Sequence, residues 1–197
     1  MRRPRRTIAY LASSADGYIA RPDGDVRWLE RPRPKGNYGM GAFLQSIDTI
    51  LLGRKTYEVG LKLSGGRLGF DPRVRRYVFS RSPPQASQPG VDFVRDSPGA
   101  FVRLLRSTPG KDIWIMGGAG LIGSLLDEDQ IDRFDIHVVP VFIGEGIPLI
   151  EPRHRLVRLE LLSARRFSDG LVRLVYQPKR AKAGGPHLGR PGRTRRK

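Results

Sequence analysis

Residues 113–123 read IWIMGGAGLIG: an apolar run, a glycine cluster, then an amphipathic segment. The run has the pattern of a buried strand, the glycines mark a turn, and the last part opens a helix. Gly118, Gly120 and Gly123 satisfy the spacing G-x-G-x-x-G. Three readings compete: the dinucleotide turn of a Rossmann unit, a phosphate cradle in another fold, or a tight turn with no ligand. The first two share their physics. Unpaired N–H groups and the dipole at a helix N-terminus favour an anion, and glycine lets a ligand approach with no Cβ in the way. A Rossmann unit also needs an acid at the end of the following strand, whereas Asp135 starts its strand pattern. It needs further strand–helix units as well, and only a strand and a hairpin pattern remain. The turn therefore reads as phosphate-facing but outside the Rossmann frame.

Working outward, residues 7–13 (TIAYLAS) read as a first buried strand, and Asp16-Gly17 and Asp23-Gly24 as turns. Residues 31–39 form a loop because Pro and Gly deny them a regular ladder. Residues 40–47 carry Phe43, Leu44 and Ile47 at helical spacing. Residues 49–52 are a short strand ending at Gly53, and Arg54 opens a helix. Residues 77–79 and 91–94 are short strands. Ser97 caps a helix reaching Leu105, with Pro98 at its first position. Residues 111–116 form a strand and 120–126 a helix. Residues 134–143 form a long strand pattern punctuated by Pro140, and 156–167 and 171–176 a hairpin about Ser168-Asp169-Gly170. Alternation that ends in strands predicts an α/β domain with a mainly parallel sheet and an antiparallel edge.

A second glycine turn addresses the same kind of ligand. Gly53-Arg54-Lys55-Thr56 puts a guanidinium, an ammonium and a hydroxyl between a strand and a helix. Arg54 stands where a P-loop needs glycine before its lysine, so this is not a P-loop. The set suits phosphate oxygens; it is equally a solvated helix start with two ordinary cations.

Bulk properties bound the reading. A chain of 197 residues can bury the core of one domain. No run approaches a membrane span, and the apolar stretch after the basic start is too short for a signal peptide. The absence of cysteine excludes disulfide and thiolate chemistry and suits a cytoplasmic protein. The net charge of +17 sits mostly in the ends: four arginines among residues 1–6 and eight Lys or Arg among 178–197, leaving +5 for residues 7–177. Residues 1–6 therefore read as a disordered basic leader and 178–197 as a disordered basic tail. The tail can attract nucleic acid electrostatically, but it has no aromatic side chain for stacking.

In chain order, SADGYIARPDGDVRWLE, FLQSIDTILLGRKTYE, YVFSRS, the segment from Ile113 to Leu149 and LLSARRFSDGLVRLVY resemble the dihydrofolate reductase-like superfamily. The closer resemblance is to the reductase domain of the bifunctional riboflavin-biosynthesis deaminase-reductase, and it covers residues 7–177. It implies a three-layer dihydrofolate reductase-like fold and an NADPH-dependent reductase of a small heterocyclic or ribosylamino-pyrimidine substrate. The activity so implied is similar to that of 5-amino-6-(5-phosphoribosylamino)uracil reductase. By the same resemblance Gly53, Arg54, Lys55 and Thr56 hold the cofactor phosphates, and Ser80 and Arg81 meet the adenosine 2′-phosphate. Gly117, Gly118, Ala119, Gly120, Leu121 and Ile122 form the pyrophosphate-facing loop, with a cis peptide between the paired glycines. Ala12, Asp16, Gly17 and Ile19 cover the nicotinamide. A homodimer through edge strands is also implied.

Chemistry is less legible. Hydride transfer belongs to the nicotinamide, while the protein sets geometry and supplies a proton. Dihydrofolate reductases carry a carboxylate on the helix after the mobile loop, but here residues 38–46 hold no acid. Asp16 and Glu30 are the proton-donor candidates, Asp16 being equally a turn former, and Asp25 is a third. Trp28 and Tyr38 are the candidates for stacking on a flat substrate. Arg27, Arg31, Arg33 and Lys35 can bind a substrate phosphate or be plain surface cations. His137, in an apolar strand, reads as a core histidine; His154 and His187 are isolated, and no metal-ligand spacing occurs. The competing reading is a catalytically idle nucleotide-binding member, or a protein that binds nucleic acid through its basic ends.

Overall fold

The computed structural model describes residues 3–31, 36–82 and 88–179. Strand β1, Thr7–Ser14, is buried at seven of its eight positions. Helices cover both faces of a central parallel strand, so its middle, residues 8–12, is a continuous run of buried or nearly buried apolar and aromatic side chains rather than an alternating one. After the short strand β2 (Tyr18–Ala20) the chain forms α1 (Met40–Ser46), β3 (Ile47–Gly53), α2 (Arg54–Leu63), β4 (Arg75–Phe79) and β5 (Val91–Val94). Then come α3 (Pro98–Ser107), β6 (Asp112–Gly117), α4 (Ala119–Asp127), β7 (Arg133–Val139), β8 (Ile147–Pro148), β9 (Leu159–Arg166) and β10 (Val172–Pro178). Ser97 caps α3 as expected, its hydroxyl accepting from the Ala100 amide at 3.3 Å. Strand β7 stops at Val139 instead of reaching residue 143, because Pro140 has no N–H for the ladder.

Eight strands form one sheet in the order β5-β4-β3-β6-β1-β7-β10-β9, and β2 pairs with β8 in a separate two-stranded sheet. The first six are mutually parallel, while β10 runs antiparallel to β7 and to β9. This is the mainly parallel sheet with an antiparallel hairpin that the sequence predicts. The β2–β8 pair has too few residues to leave a pattern.

Alternate residues of each strand feed opposite cores. Ala9, Leu11, Leu51, Ile113, Ile115 and Phe134 pack with Val102 of α3 and Leu121, Ile122 and Leu125 of α4. Ile8, Tyr10, Ile50, Leu52, Val78 and Trp114 pack on the other face with Phe43 of α1 and Tyr57 of α2.

The leader departs from expectation at residues 3–6. Arg5 is buried; its guanidinium donates to the Lys111 carbonyl at 2.7 Å and the Thr49 hydroxyl at 2.6 Å, and pairs with Asp48. Arg3 and Arg6 both pair with Asp112, at 2.8 and 2.7 Å. Carboxylates at the N-terminal ends of β3 and β6 capture these cations, so this part of the basic start is structural. Residues 1–2 and 180–197 lie outside the described residues.

Candidate active site

The C-terminal ends of β1, β3, β6 and β7 open into a cleft of about 990 Å³. Ligands of open α/β sheets bind beyond the carboxyl ends of the strands, where the loops diverge.

One end of the cleft is made of the two glycine turns. They lie against each other: a methyl group on Gly53 would stand 3.4 Å from the Gly118 amide nitrogen and 3.8 Å from the Gly117 carbonyl oxygen. A methyl on Gly118 would approach the Thr56 hydroxyl to 3.0 Å. Gly53 and Gly118 are the N-caps of α2 and α4, and no side chain caps either helix. Two helix N-termini thus offer backbone donors to one space, an arrangement that favours an anion. The Gly117–Gly118 peptide is cis, as the resemblance implies, and Gly117 adopts φ 142°, a conformation open to glycine.

Arg54, Lys55, Thr56, Ala119, Gly120 and Leu121 line this end, Arg81 stands on its rim, and Ala12 and Ile19 line the middle. Arg54 also holds the neighbouring turn, donating to Glu58 at 2.7 Å and to the Ser82 carbonyl at 2.8 Å. Ser80 is not on the wall: its buried hydroxyl accepts from the Ser82 amide and shapes the turn that presents Arg81. Ile122 is also off the wall, fully buried in the core.

The other end is built from side chains on separate strands. Tyr10 of β1 and His137 of β7 line the floor, with the Tyr10 hydroxyl 3.4 Å from His137 Nε2. Behind them Arg173 of β10 donates to both Asp135 oxygens, at 2.7 and 2.5 Å. Burial, reinforced by Asp135, pushes the Tyr10 hydroxyl up to about 12. Burial likewise lowers the His137 imidazole, with Arg173 acting in the same direction and Asp135 against it. Both groups are therefore neutral at pH 7. Tyr38 lines the cleft; its hydroxyl donates to Asp169 at 2.5 Å, a bond that holds the Asp169 carboxyl below the usual carboxylate range. Arg31 pairs with the same Asp169 at 3.1 Å. Asn37 and Tyr38 have φ of 43° and 57°, left-handed values that side chains rarely adopt.

The two proton-donor candidates lie elsewhere. Asp16 is off the cleft wall; its carboxylate accepts from the Ile143 amide at 3.1 Å and the Gly144 amide at 2.8 Å. Hydrogen bonding from Ser14 first, and then from these amides, holds the Asp16 carboxyl below its ordinary value, so it clamps a loop as an anion. Glu30 is exposed and away from the wall. Trp28 sits half-buried in a 3-10 turn, and its neighbours Val26 and Leu29 line the cleft instead. Asp25 and Arg27 pair with each other on the surface, and Arg33 and Lys35 lie outside the described residues. His137 is buried as expected of a core histidine, yet it also faces the cleft. Tyr10, its partner, carries no sequence signal of a site, because a tyrosine in an apolar strand reads as core.

A model of the RibD C-terminal domain family matches residues 5–173. The chain belongs to this family. It is 37% identical over 172 residues to YwjB, an uncharacterised protein of Bacillus subtilis (strain 168), covering 87% of this chain and 97% of that protein. A crystal structure from Shewanella sp. PV-4, of a candidate riboflavin biosynthesis protein, superposes with a TM-score of 0.78 at 26% identity, over 89% of this chain and 99% of that one. Dihydrofolate reductase from Enterococcus faecalis, complexed with NADP(H), gives a TM-score of 0.63 at 15% identity, over 89% and 97% of the two chains. That last likeness is one of fold. The dihydrofolate reductase-like α/β architecture and the family are thus both established. Among the described residues no helix is long and apolar enough to cross a membrane, and no group of three or more His, Cys, Asp or Glu is arranged to hold a metal ion.

Proposed function

We propose that this protein is an NADPH-dependent reductase of a small heterocyclic or ribosylamino-pyrimidine substrate, similar to 5-amino-6-(5-phosphoribosylamino)uracil reductase of riboflavin biosynthesis. The observation that carries this reading is the meeting of the Gly53 and Gly118 turns, 3.4 Å from virtual methyl to amide nitrogen, beneath two uncapped helix N-termini. A cradle that a Cβ would fill suits a pyrophosphate, and the family membership supports a nicotinamide dinucleotide as its bearer. Backbone donors of α2 and α4, with Lys55 and Thr56, would hold the pyrophosphate, while Arg81 would meet the 2′-phosphate. Ala12 and Ile19 would enclose the ring end. The bound nicotinamide would supply hydride; the chain's task is placement and exclusion of water.

The direct test is titration of NADPH into the full chain, followed by tryptophan fluorescence and thermal midpoint. A ligand selective for the folded state raises the midpoint. No change at about millimolar NADPH would overturn the reading. The cysteine-free composition supports a cytoplasmic setting.

A homodimer through β9 forms part of the same proposal. This edge strand is exposed at all eight positions and presents Leu159, Leu161 and Leu162 at 42%, 52% and 43% exposure. An unpaired apolar edge is a template for a second copy. Sedimentation should find a dimer that Leu161→Glu converts to monomer; a monomeric wild type would remove this element.

A further inference from the structure

We propose that His137 supplies the proton that accompanies hydride addition, with Tyr10, Asp135 and Arg173 as the positioning residues around it. This rests on the reductase reading above. The substrate end of the cleft leaves few other donors. Among the described lining residues the acid is Glu151, which lies beside Gly120 at the dinucleotide end and pairs with Arg153 at 2.8 Å. Of the titratable groups at the far end, Arg31 and Tyr38 are both engaged by Asp169. Tyr10 and His137 remain.

Their placement is over-determined. The Tyr10 ring stacks on Phe43 at 4.0 Å between centroids, with the Trp114 edge against it at 6.2 Å. The Trp114 indole N–H donates to the Tyr10 carbonyl at 2.8 Å. In register, His137 lies beside Ala12 of β1 and Arg173 of β10, and Tyr10 lies beside Asp135. The charged and titratable groups facing the imidazole are thus Tyr10 from β1, Asp135 from β7, Arg173 from β10 and Tyr38 from the turn before α1. Asp135 Oδ1 is 3.9 Å from Nδ1, outside hydrogen-bond range but close enough to favour imidazolium formation when a substrate needs a proton.

In the step itself the substrate's C=N or C=O carbon forms a C–H bond with hydride from the reduced nicotinamide nucleotide. The π pair moves to the heteroatom. The heteroatom bonds the proton leaving imidazolium Nε2, whose N–H pair stays on the ring. The substrate gains two electrons, the nucleotide loses two, and the neutral imidazole regains its proton from water through the cleft mouth; the Tyr10 hydroxyl accepts from Nε2–H until the substrate heteroatom takes its place. The rate then follows the imidazolium fraction and falls about tenfold per pH unit above the imidazole pKa.

The test compares full-length wild type, His137→Gln and Tyr10→Phe. The first readout is independent of turnover: in the cofactor-free chain, the ¹⁵N-histidine resonance that His137→Gln deletes should titrate below the ordinary histidine value and shift in Tyr10→Phe. The second is NADPH oxidation with 5-amino-6-(5-phosphoribosylamino)uracil between pH 5.5 and about pH 9, a span around the neutral imidazole range. His137→Gln should bind NADPH with the wild-type thermal shift, lose about 100-fold in kcat and show a flat pH profile. Tyr10→Phe should keep a sloped profile with a displaced midpoint. If His137→Gln retains the wild-type rate and slope, the inference falls and the reductase reading stands. If the resonance titrates at the ordinary value and does not respond to Tyr10→Phe, the inference also falls. If wild type binds no NADPH or reduces no substrate, both fall together.

Discussion

The two ends of the cleft are built on different principles. The end at the glycine turns consists of backbone: Gly53, Gly117 and Gly118 bring two turns into contact, and the N-termini of α2 and α4 offer donors. The other end consists of side chains gathered from three strands, Tyr10 and His137 on the wall with Asp135 and Arg173 behind them. Backbone recognition depends on the absence of atoms, so any side chain damages it. Side-chain recognition depends on charges that must stay paired when buried, so truncation damages stability before it damages binding.

The largest effect should be on the second end. Asp135→Ala strands the Arg173 guanidinium in a partly buried site and should lower the unfolding free energy in urea by about 3 kcal/mol. An unchanged midpoint would mean that Arg173 reaches solvent and that the cluster is incidental. Comparable in size, but on binding rather than folding, Gly53→Val should weaken NADPH by about 100-fold while changing the unfolding free energy in urea by less than about 1 kcal/mol, since a Cβ there already stands 3.4 Å from the Gly118 amide nitrogen and a branched side chain would crowd the space between the turns. Retained affinity would show that the turns do not share a ligand.

Smaller effects sharpen the contrast. Arg81→Ala should reduce NADPH affinity about tenfold and leave NADH unchanged, because a charge-assisted bond to the 2′-phosphate is lost; equal losses would refute the assignment. Asp16 tests the clamp on the loop at residues 143–144. Its native carboxyl is held below the ordinary value, so its stabilising contribution is present above the unfolded pKa of about 3.9 and disappears as pH falls through the native one. The thermal midpoints of wild type and Asp16→Asn should therefore differ at pH 7 and converge in acid; a constant gap would contradict the clamp. Smallest of all, ending the chain after Lys179, whose amide bonds the Arg158 carbonyl, should leave NADPH binding intact. Loss of function together with salt-sensitive RNA binding would favour the nucleic-acid reading.

The same division explains what could be read in advance. Strand β5 and the Ser97 cap of α3 follow directly from local pattern, as does the hairpin turn at 168–170. Gly53 and Gly118 were recognisable as a pair because glycine before a helix is itself the signal. Ser80 and Ile122 followed the family motif but turn away from the cleft, since a motif gives position along the chain and not the direction of each side chain. Asp16 and Glu30 are among the acids that remain as donor candidates once the helix after the mobile loop holds none. Local hydrogen bonds occupy the first, and solvent surrounds the second.

Composition and periodicity alone determined an α/β chain with a parallel sheet, an antiparallel hairpin and two phosphate-suited turns, because each is encoded by residues adjacent in sequence. Only the tertiary structure decided that Arg3, Arg5 and Arg6 are tied down by Asp48 and Asp112, and that Tyr10, His137 and Arg173 converge. Those groups lie more than 30 residues apart along the chain. What places them together is strand register, fixed by burial of the sheet's two faces, and no local pattern carries that information.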